Sequence, residues 1–578
     1  MSILVPPALL LVAGAAVVAL VPRAARCAIT VLLPLLTLAY AATALPAGTT
    51  VSHPFMSYTL EVVRSDRLAL LFAGIFCVTS ALAALYAWHE NDVTQQVTSL
   101  LYTAGALGVT FAGDLLTLYV FWELMAVTAA VLVWCGGTRA ANRAGTRYLL
   151  FHLAGGAVLL AGIVLHVQAS GSLRFDAFAP DASTLGSWLI LAGFCVNAAV
   201  PPLHAWLPDS YPRATVAGTV LLAALTTKTA VYALLRGFPG WEILVPLGVL
   251  MALYGVVYAV LASDLRGLLS YHIISQVGYM LVGAGIGTEI AINGAAAHAV
   301  NNLLYKGLLF MCVGAVIVTT GRGNLADLGG LRRRQPVLLA LYMIGAFSIS
   351  GFPLWNGFFS KGMVLTAAGE AHHEWTFLLL TLASVGTFLS VGLKLPYFAW
   401  FGADRDIRPR QVPPSMLAAA AIAAFLCTLL GVVPDLLYRF LPYANEYQAY
   451  TAGHAIETVQ LLLFTGFAFF LLLPNLSVAR KTLLDVDVLY RKSAPVLRTL
   501  LVGGVDAAFG TVQAAADWLA RAATEALRDP TAWFAERRRR GSPDFDPDRS
   551  RPPLLTPLLL TIATFVFIAV ALLSWSRP

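Results

Sequence analysis

The stretch Leu118-Tyr119-Val120-Phe121-Trp122-Glu123-Leu124-Met125 lies in the middle of an apolar run, residues 115–134, that carries one charge and is long enough to cross about 30 Å of hydrocarbon. A carboxylate at mid-membrane costs about 2.5–3.5 kcal/mol on insertion scales, so Glu123 marks either a functional site or an ion pair that fixes helix packing. Both readings require a basic partner. Similar apolar runs recur near 3–21, 28–46, 68–88, 98–113, 148–168, 187–204, 214–235, 244–262, 267–287, 294–318, 337–352, 376–400, 415–433, 458–474 and 554–575. The pattern predicts an all-α polytopic membrane protein of about 14–16 transmembrane helices.

Composition agrees. The chain is 59% hydrophobic and 12% charged, with a mean hydropathy of +0.77, whereas a soluble domain carries about 25% charged residues. Loops numbered alternately from the N-terminus form one set rich in arginine, including Arg23, Arg139, Arg143, Arg147, Arg266, Arg332, Arg333 and Arg334, and a sparse set with Arg64, Arg67, Arg174, Arg236 and Arg439. The positive-inside rule makes the first set cytoplasmic and puts the N-terminus outside a cell membrane. This asymmetry accounts for most of the net charge of +7, and no nucleic-acid partner is needed. Residues 1–21 lack a basic leading region and a convincing cleavage site, so they read as a retained helix.

Only six basic residues are lysine, against 31 arginines, and Lys228, Lys306, Lys361 and Lys394 lie inside or beside apolar runs. Arginine stays charged in a protein, whereas a desolvated lysine can release its proton. Lysine retained where burial costs most points to reversible protonation. The six cysteines are scattered singly, without metal-like spacing, and read as packing residues. No nucleotide-binding, haem-attachment or HExxH motif occurs, so no cofactor and no metal site are expected, and a gradient or a partner must drive any work.

Along the chain, residues 1–97 supply helices with nearly uncharged interiors, and 98–433 hold every intramembrane lysine. A further transmembrane region covers 434–475. Residues 476–553 place Leu497, Leu500, Leu501, Val505, Phe509, Val512 and Leu519 at helical spacing among charges, as in a helix lying on the cytoplasmic surface or docked on a partner. The charged stretch Glu536–Arg540 and a last span, 554–578, follow. Two breaks interrupt the core: Pro201-Pro202-Leu203-His204-Ala205-Trp206-Leu207-Pro208-Asp209 and Gly351-Phe352-Pro353-Leu354-Trp355-Asn356-Gly357. Interrupted helices at membrane depth, paired in two halves, point to a transport site. No sequence repeat is visible between the halves.

Among the candidate residues, Lys228, in Leu225-Thr226-Thr227-Lys228-Thr229, is the expected partner of Glu123. His298, Asn302 and Lys306 follow each other at four-residue spacing and so share a helix face. Lys394 precedes Pro396 near the end of its span, where snorkelling to the interface competes with a functional role. Lys361 follows the second break and reads equally as interfacial or functional. His272, in Ser270-Tyr271-His272-Ile273, can relay protons near neutral pH but is more often a packing residue when alone.

These strings resemble the antiporter-like subunits shared by respiratory complex I, membrane-bound hydrogenases and Mrp-type cation/proton antiporters, the D-type subunits of the Mrp branch most of all. The match rests on Phe121-Trp122-Glu123-Leu124, Pro202-Leu203-His204-Ala205-Trp206-Leu207-Pro208-Asp209, Thr227-Lys228-Thr229-Ala230-Val231-Tyr232, Ser275-Gln276-Val277-Gly278-Tyr279 and Gly357-Phe358-Phe359-Ser360-Lys361 within residues 68–433. The resemblance implies two inverted five-helix repeats with broken helices and a proton path through Glu123, Lys228, Lys306 and Lys394. It also implies a lysine seven residues before His204, where this chain has Asn197, so Glu123 lacks its usual counter-charge. The long tail is similar to the lateral helix of complex I. The resulting expectation is a proton-translocating subunit of a multi-subunit Na+/H+ antiporter in the lipid bilayer. The alternatives are a membrane arm of a redox-driven or inorganic-carbon-uptake complex and a structural subunit with an inactive channel.

Overall fold

The structure, a computed structural model, describes residues 4–475, 478–479, 483–528 and 559–564. The chain opens with α1 (Pro7–Leu20) and α2 (Arg23–Ala44), then an antiparallel hairpin of β1 (Thr50–Phe55) and β2 (Tyr58–Arg64). Next come α3 (Arg67–Tyr86), α4 (Val93–Phe111), α5 (Leu115–Trp134) and α6 (Arg139–Ser170). The first break separates α7 (Leu185–Asn197) from the short α8 (Trp206–Ser210), and α9 (Val216–Gly237), α10 (Leu244–Leu261), α11 (Leu265–Ile286) and α12 (Glu289–Thr320) follow. The second break separates α13 (Pro336–Ser350) from α14 (Gly357–Glu370). After α15 (Glu374–Thr387), α16 (Pro414–Val432), α17 (Asp435–Tyr438) and α18 (Ala452–Leu472) complete a first unit that ends at Asp485. A second unit from Val486 contains α19 (Asp487–Leu497) and α20 (Gly504–Arg528).

Among the described residues, 11 helices are long and apolar enough to cross a membrane. The expected count is higher because the broken helices, split into α7/α8 and α13/α14, are each too short alone, and because polar residues lower the hydropathy of helices such as α4. Of the expected last span only residues 559–564 are described, as helix, and the charged stretch Glu536–Arg540 lies outside the described residues.

Helix starts follow from side-chain caps. Asp66, Asp92, Asp114, Thr138, Thr215, Asp264 and Thr288 each accept a hydrogen bond from a backbone N–H of the first turn. α12 runs through the centre against α3, α9, α11, α13, α14 and α16. Nearly all of α9 is buried as well. Lys228 and Lys306 therefore sit on helices largely enclosed by protein, and neither is exposed.

One construction occurs twice. Asp114 caps α5 and bridges Arg174 beyond α6, where Leu115 N–H donates to Leu173 C=O at 2.8 Å. Asp264 caps α11 and bridges Asn324 beyond α12, where Leu265 N–H donates to Gly323 C=O at 2.9 Å. Asp114 to Asp264 and Arg139 to Glu289 are the same 150 residues apart, and α6 and α12 are both 32 residues long. Each of these helices ends at a glycine with left-handed backbone, Gly171 and Gly321. The likeness lies in caps, lengths and backbone bridges rather than in matching side chains, so it was invisible in the sequence.

Candidate proton-conducting site

In the first half, α5 carries Glu123 toward α6 at Gly156. A Cβ on Gly156 would overlap the Glu123 carboxylate, so glycine is what admits it. The expected pairing with Lys228 is not formed: Lys228 Nζ donates to Ala223 C=O at 3.2 Å on its own helix, and Glu123 makes no ion pair among the described residues. The two residues turn to different neighbours, Glu123 into the notch of α6 and Lys228 back along α9. Asn197 ends α7 fully buried, and neither polar atom of its side chain has a hydrogen-bond partner. Above it the chain turns through Ala199 in left-handed conformation, and Trp206 Nε1–H donates to Val196 C=O at 3.0 Å across the break. Near Lys228, Thr226 gathers the hydroxyls of Tyr102 and Tyr148, two residues that sequence reading missed because they come from α4 and α6.

The second half is better connected. His298, Asn302 and Lys306 share α12 as expected, and all three are buried. Tyr305 joins them: its hydroxyl receives Asn302 Nδ2–H at 3.0 Å, lies 3.4 Å from His298 Nε2 and donates to Gln276 Oε1 at 3.2 Å. His298 Nδ1 lies 3.1 Å from Ser360 Oγ on α14. Lys306 Nζ leaves the stripe and donates to Leu269 C=O of α11 at 3.0 Å. Beyond the flanking residues and the helix's own backbone, no heavy atom lies within 4 Å of where a Cβ on Gly307 would stand, so the helix beside Lys306 borders open space.

His272 is a connected residue and not an isolated packing histidine. Ser390 Oγ donates to Gly386 C=O at 2.8 Å, so His272 Nε2–H donates to Ser390 Oγ at 2.6 Å. His272 Nδ1 is then left as an unpartnered buried acceptor. Ser390 and Lys394 lie where α15 widens into π-helical turns, Phe388–Lys394, a distortion common at functional positions.

Lys394 is half-buried and turns to backbone. Its ammonium caps the C-terminal end of α10 through Val260 C=O at 2.6 Å and Ala262 C=O at 2.7 Å. It borders a cavity of about 250 Å³ with Phe398 and Phe469. Lys361 is buried within the protein: it is 3% exposed, donates to Ser384 Oγ at 3.2 Å and lies 5.3 Å above the Tyr279 ring. A cavity of about 500 Å³ reaches it past His454 and Glu457. The four intramembrane lysines form no salt bridge among the described residues, and no metal-binding cluster occurs among them.

One charged group reaches the first break from outside the expected core. Asp485 follows α18 and receives His204 Nε2–H at 3.1 Å, Tyr271 O–H at 2.6 Å and Tyr254 O–H, while Tyr258 O–H donates to Leu484 C=O at 3.0 Å. Burial alone would raise the Asp485 pKa, but the hydrogen bonds from His204, Tyr254 and Tyr271 outweigh it and hold the carboxyl down at about 2. A carboxyl lowered in the folded state stabilises it above the unfolded pKa, near 3.9, and loses that contribution as pH falls toward 2. Asp485→Asn is therefore expected to cost about 2 kcal/mol at neutral pH, since hydrogen bonds to a charged group are worth about 1.5–3 kcal/mol. A lowered Tm of the purified protein, with the mutant and wild type converging below pH 3, checks this. Nothing near Asp485 in sequence signalled the contact, because its partners lie more than 200 residues away.

Comparison with known proteins bears on this arrangement. Residues 112–390 match the family described as NADH:quinone oxidoreductase/Mrp antiporter, transmembrane. The D subunit of the Na(+)/H(+) antiporter of Alkalihalophilus pseudofirmus is 34% identical over 358 residues, which cover 58% of this chain and 72% of that protein. The D subunit of the Na(+)/H(+) antiporter of Bacillus subtilis is 28% identical over 410 residues, covering 67% and 83%. Among solved structures, a chain of the Mrp complex from Dietzia sp. superposes with a TM-score of 0.65 at 22% identity, covering 75% of this chain and 94% of that one. A chain of respiratory complex I from Thermus thermophilus gives 0.67 at 25% identity, covering 79% and 99%.

Proposed function

Because this chain belongs to the NADH:quinone oxidoreductase/Mrp antiporter membrane family, we propose that it conducts protons as one subunit of a multi-subunit Mrp-type Na+/H+ antiporter in a cell inner membrane. The observation that carries the reading is the series of basic groups without carboxylate partners among the described residues, Lys228, His298, Lys306, His272 and Lys361 buried and Lys394 half-buried. A basic group kept at membrane depth, where burial favours an apolar residue, marks a functional position. Glu123, Lys228, Lys306 and Lys394 are the proton-carrying groups of this reading. His272, His298, Asn302, Lys361 and Asn197 line the path, with hydroxyls such as Thr226, Tyr305 and Ser390 and intervening water completing it.

The doubled construction of α5/α6 and α11/α12 supports two inverted five-helix repeats, and the arginine-rich loops support an N-terminus on the outer side. The likeness to complex I favours a second reading, in which the same path serves a redox-driven complex. The first test measures proton movement in everted membrane vesicles energised by respiration, on addition of Na+, K+ or Li+. Lys228→Met is expected to lower cation-dependent proton flux about tenfold with the complex still assembled. Undiminished flux in both Lys228→Met and Lys394→Met would rule the reading out. Flux that follows electron transfer and ignores added cations would select the redox-driven alternative.

A further inference from the structure

Three polar side chains on or beside one stretch of α6 keep buried atoms without hydrogen-bond partners. Glu123 Oε1 lies at Gly156, His152 stands one turn before Gly156 on the same helix, and Asn197 follows Val196, which packs on Gly155. Glu123 Oε1, His152 Nε2 and both amide atoms of Asn197 are buried and unpartnered. Asparagine neither takes up nor releases protons at any ordinary pH, so the exchangeable groups are the carboxyl and the imidazole.

The histidine is held in one orientation. Its ring stacks on Tyr148 with centroids 3.9 Å apart and meets Trp206 edge-on at 4.5 Å. Its Nδ1 lies 2.9 Å from Tyr148 C=O, and a carbonyl only accepts, so the Nδ1 proton is fixed there. Nε2 therefore presents a bare lone pair. The matched helix of the second half bears on what this place does: at the 150-residue offset, His152 corresponds to Asn302 and Gly156 to Lys306. The second half puts an ammonium on the long helix itself. The first half leaves a glycine there and fills the space with a carboxylate from α5.

We infer that His152 is the proton-transfer partner of Glu123 in the first half of the core, an assignment that rests on the proton-conducting reading above. In the step, an imidazolium gives its Nε2 proton to Glu123 Oε1, leaving neutral imidazole and a carboxylic acid, and the reverse step returns it. Water between the two atoms relays the proton where they are not in contact. The Glu123–His152 pair thus takes the place of a carboxylate–ammonium pair at the position Asn197 leaves neutral.

The test uses the assembled complex in everted vesicles, with subunit content matched by immunoblot. His152→Gln and His152→Phe, the second preserving the stack on Tyr148 and Trp206, are each expected to lower proton flux at least about tenfold. Adding Asn197→Lys to His152→Gln is expected to restore at least about half of the flux, because an ammonium at 197 supplies the missing cation beside Glu123. A ring needed only for packing would not be rescued in this way. Wild-type flux in both His152 variants, in vesicles where Lys306→Met is inactive, would overturn the assignment, as would failure of Asn197→Lys to rescue. Normal flux in Lys306→Met would bring down the proton-conducting reading, and this proposal with it.

Discussion

Lys306→Met is expected to lower proton flux about a hundredfold while leaving the protein folded and assembled. Lys306 is fully buried on the central helix, with one hydrogen bond from its ammonium to Leu269 C=O. Methionine has nearly the same length and volume and removes the desolvated charge, so packing is kept and the burial cost disappears. Leu269 C=O keeps its bond within α11, so no buried acceptor is orphaned. A structural role for Lys306 would therefore predict a neutral or slightly stabilised variant, whereas loss of a proton-carrying group removes a factor of about 10²–10⁴. Measuring Tm and flux on the same preparation separates the two. Normal flux at normal Tm would bring down the proton-conducting reading.

The second large effect is structural. Gly278→Val is expected to remove most of the protein from the membrane, with the remainder failing to assemble. α10 and α11 touch backbone to backbone: a Cβ on Gly278 would fall 2.7 Å from Ala252 N and still closer to Gly248 C=O, and one on Gly285 2.8 Å from Val245 N. Helix backbone cannot yield as a flexible side chain does. Overpacking of a well-filled interface costs about 1–3 kcal/mol and more where backbone is struck. Small residues are what let two helices approach this closely within a membrane. Separating α10 from α11 would also displace Tyr254, Tyr271, His272 and Gln276 from their partners. Gly307→Ala is the control, since the space beside Gly307 is open and alanine favours helix over glycine by about 0.5–1 kcal/mol. Immunoblots of membranes and Tm in detergent check both, and Gly278→Val at wild-type level would contradict the interface.

Lys306 and Gly278 differ in how far the sequence betrays them. Lys306 was legible because burial of a charge is costly, so its mere presence in an apolar run carries information. His298 and Asn302 were legible for the same reason, together with the helical repeat that puts every fourth residue on one face. Gly278 had no such signal: a glycine in a membrane helix is common, and its importance comes from a backbone 30 residues earlier. The expected Glu123–Lys228 pair failed for a related reason. Depth in the membrane can be estimated from a hydrophobic run, but rotation of the helix about its axis depends on its neighbours, and the notch at Gly156 lies on a third helix.

By itself the sequence determined that the chain is an all-α membrane protein, and it directed the proposal above to residues 98–433 and to the lysines in their apolar surroundings. These follow from local physics: the length of a span, the cost of a buried charge, the interruption of helices by proline and glycine. The tertiary structure alone decided that Tyr305 joins His298 to Asn302, that Lys394 caps α10, that Asp485 reaches His204, and that Glu123 meets α6 at Gly156, one turn from His152. Each of these depends on which helices are neighbours and how each is turned. Apolar faces look alike to hydropathy, so only the packed structure distinguishes the one that meets lipid from the one that meets a hydroxyl.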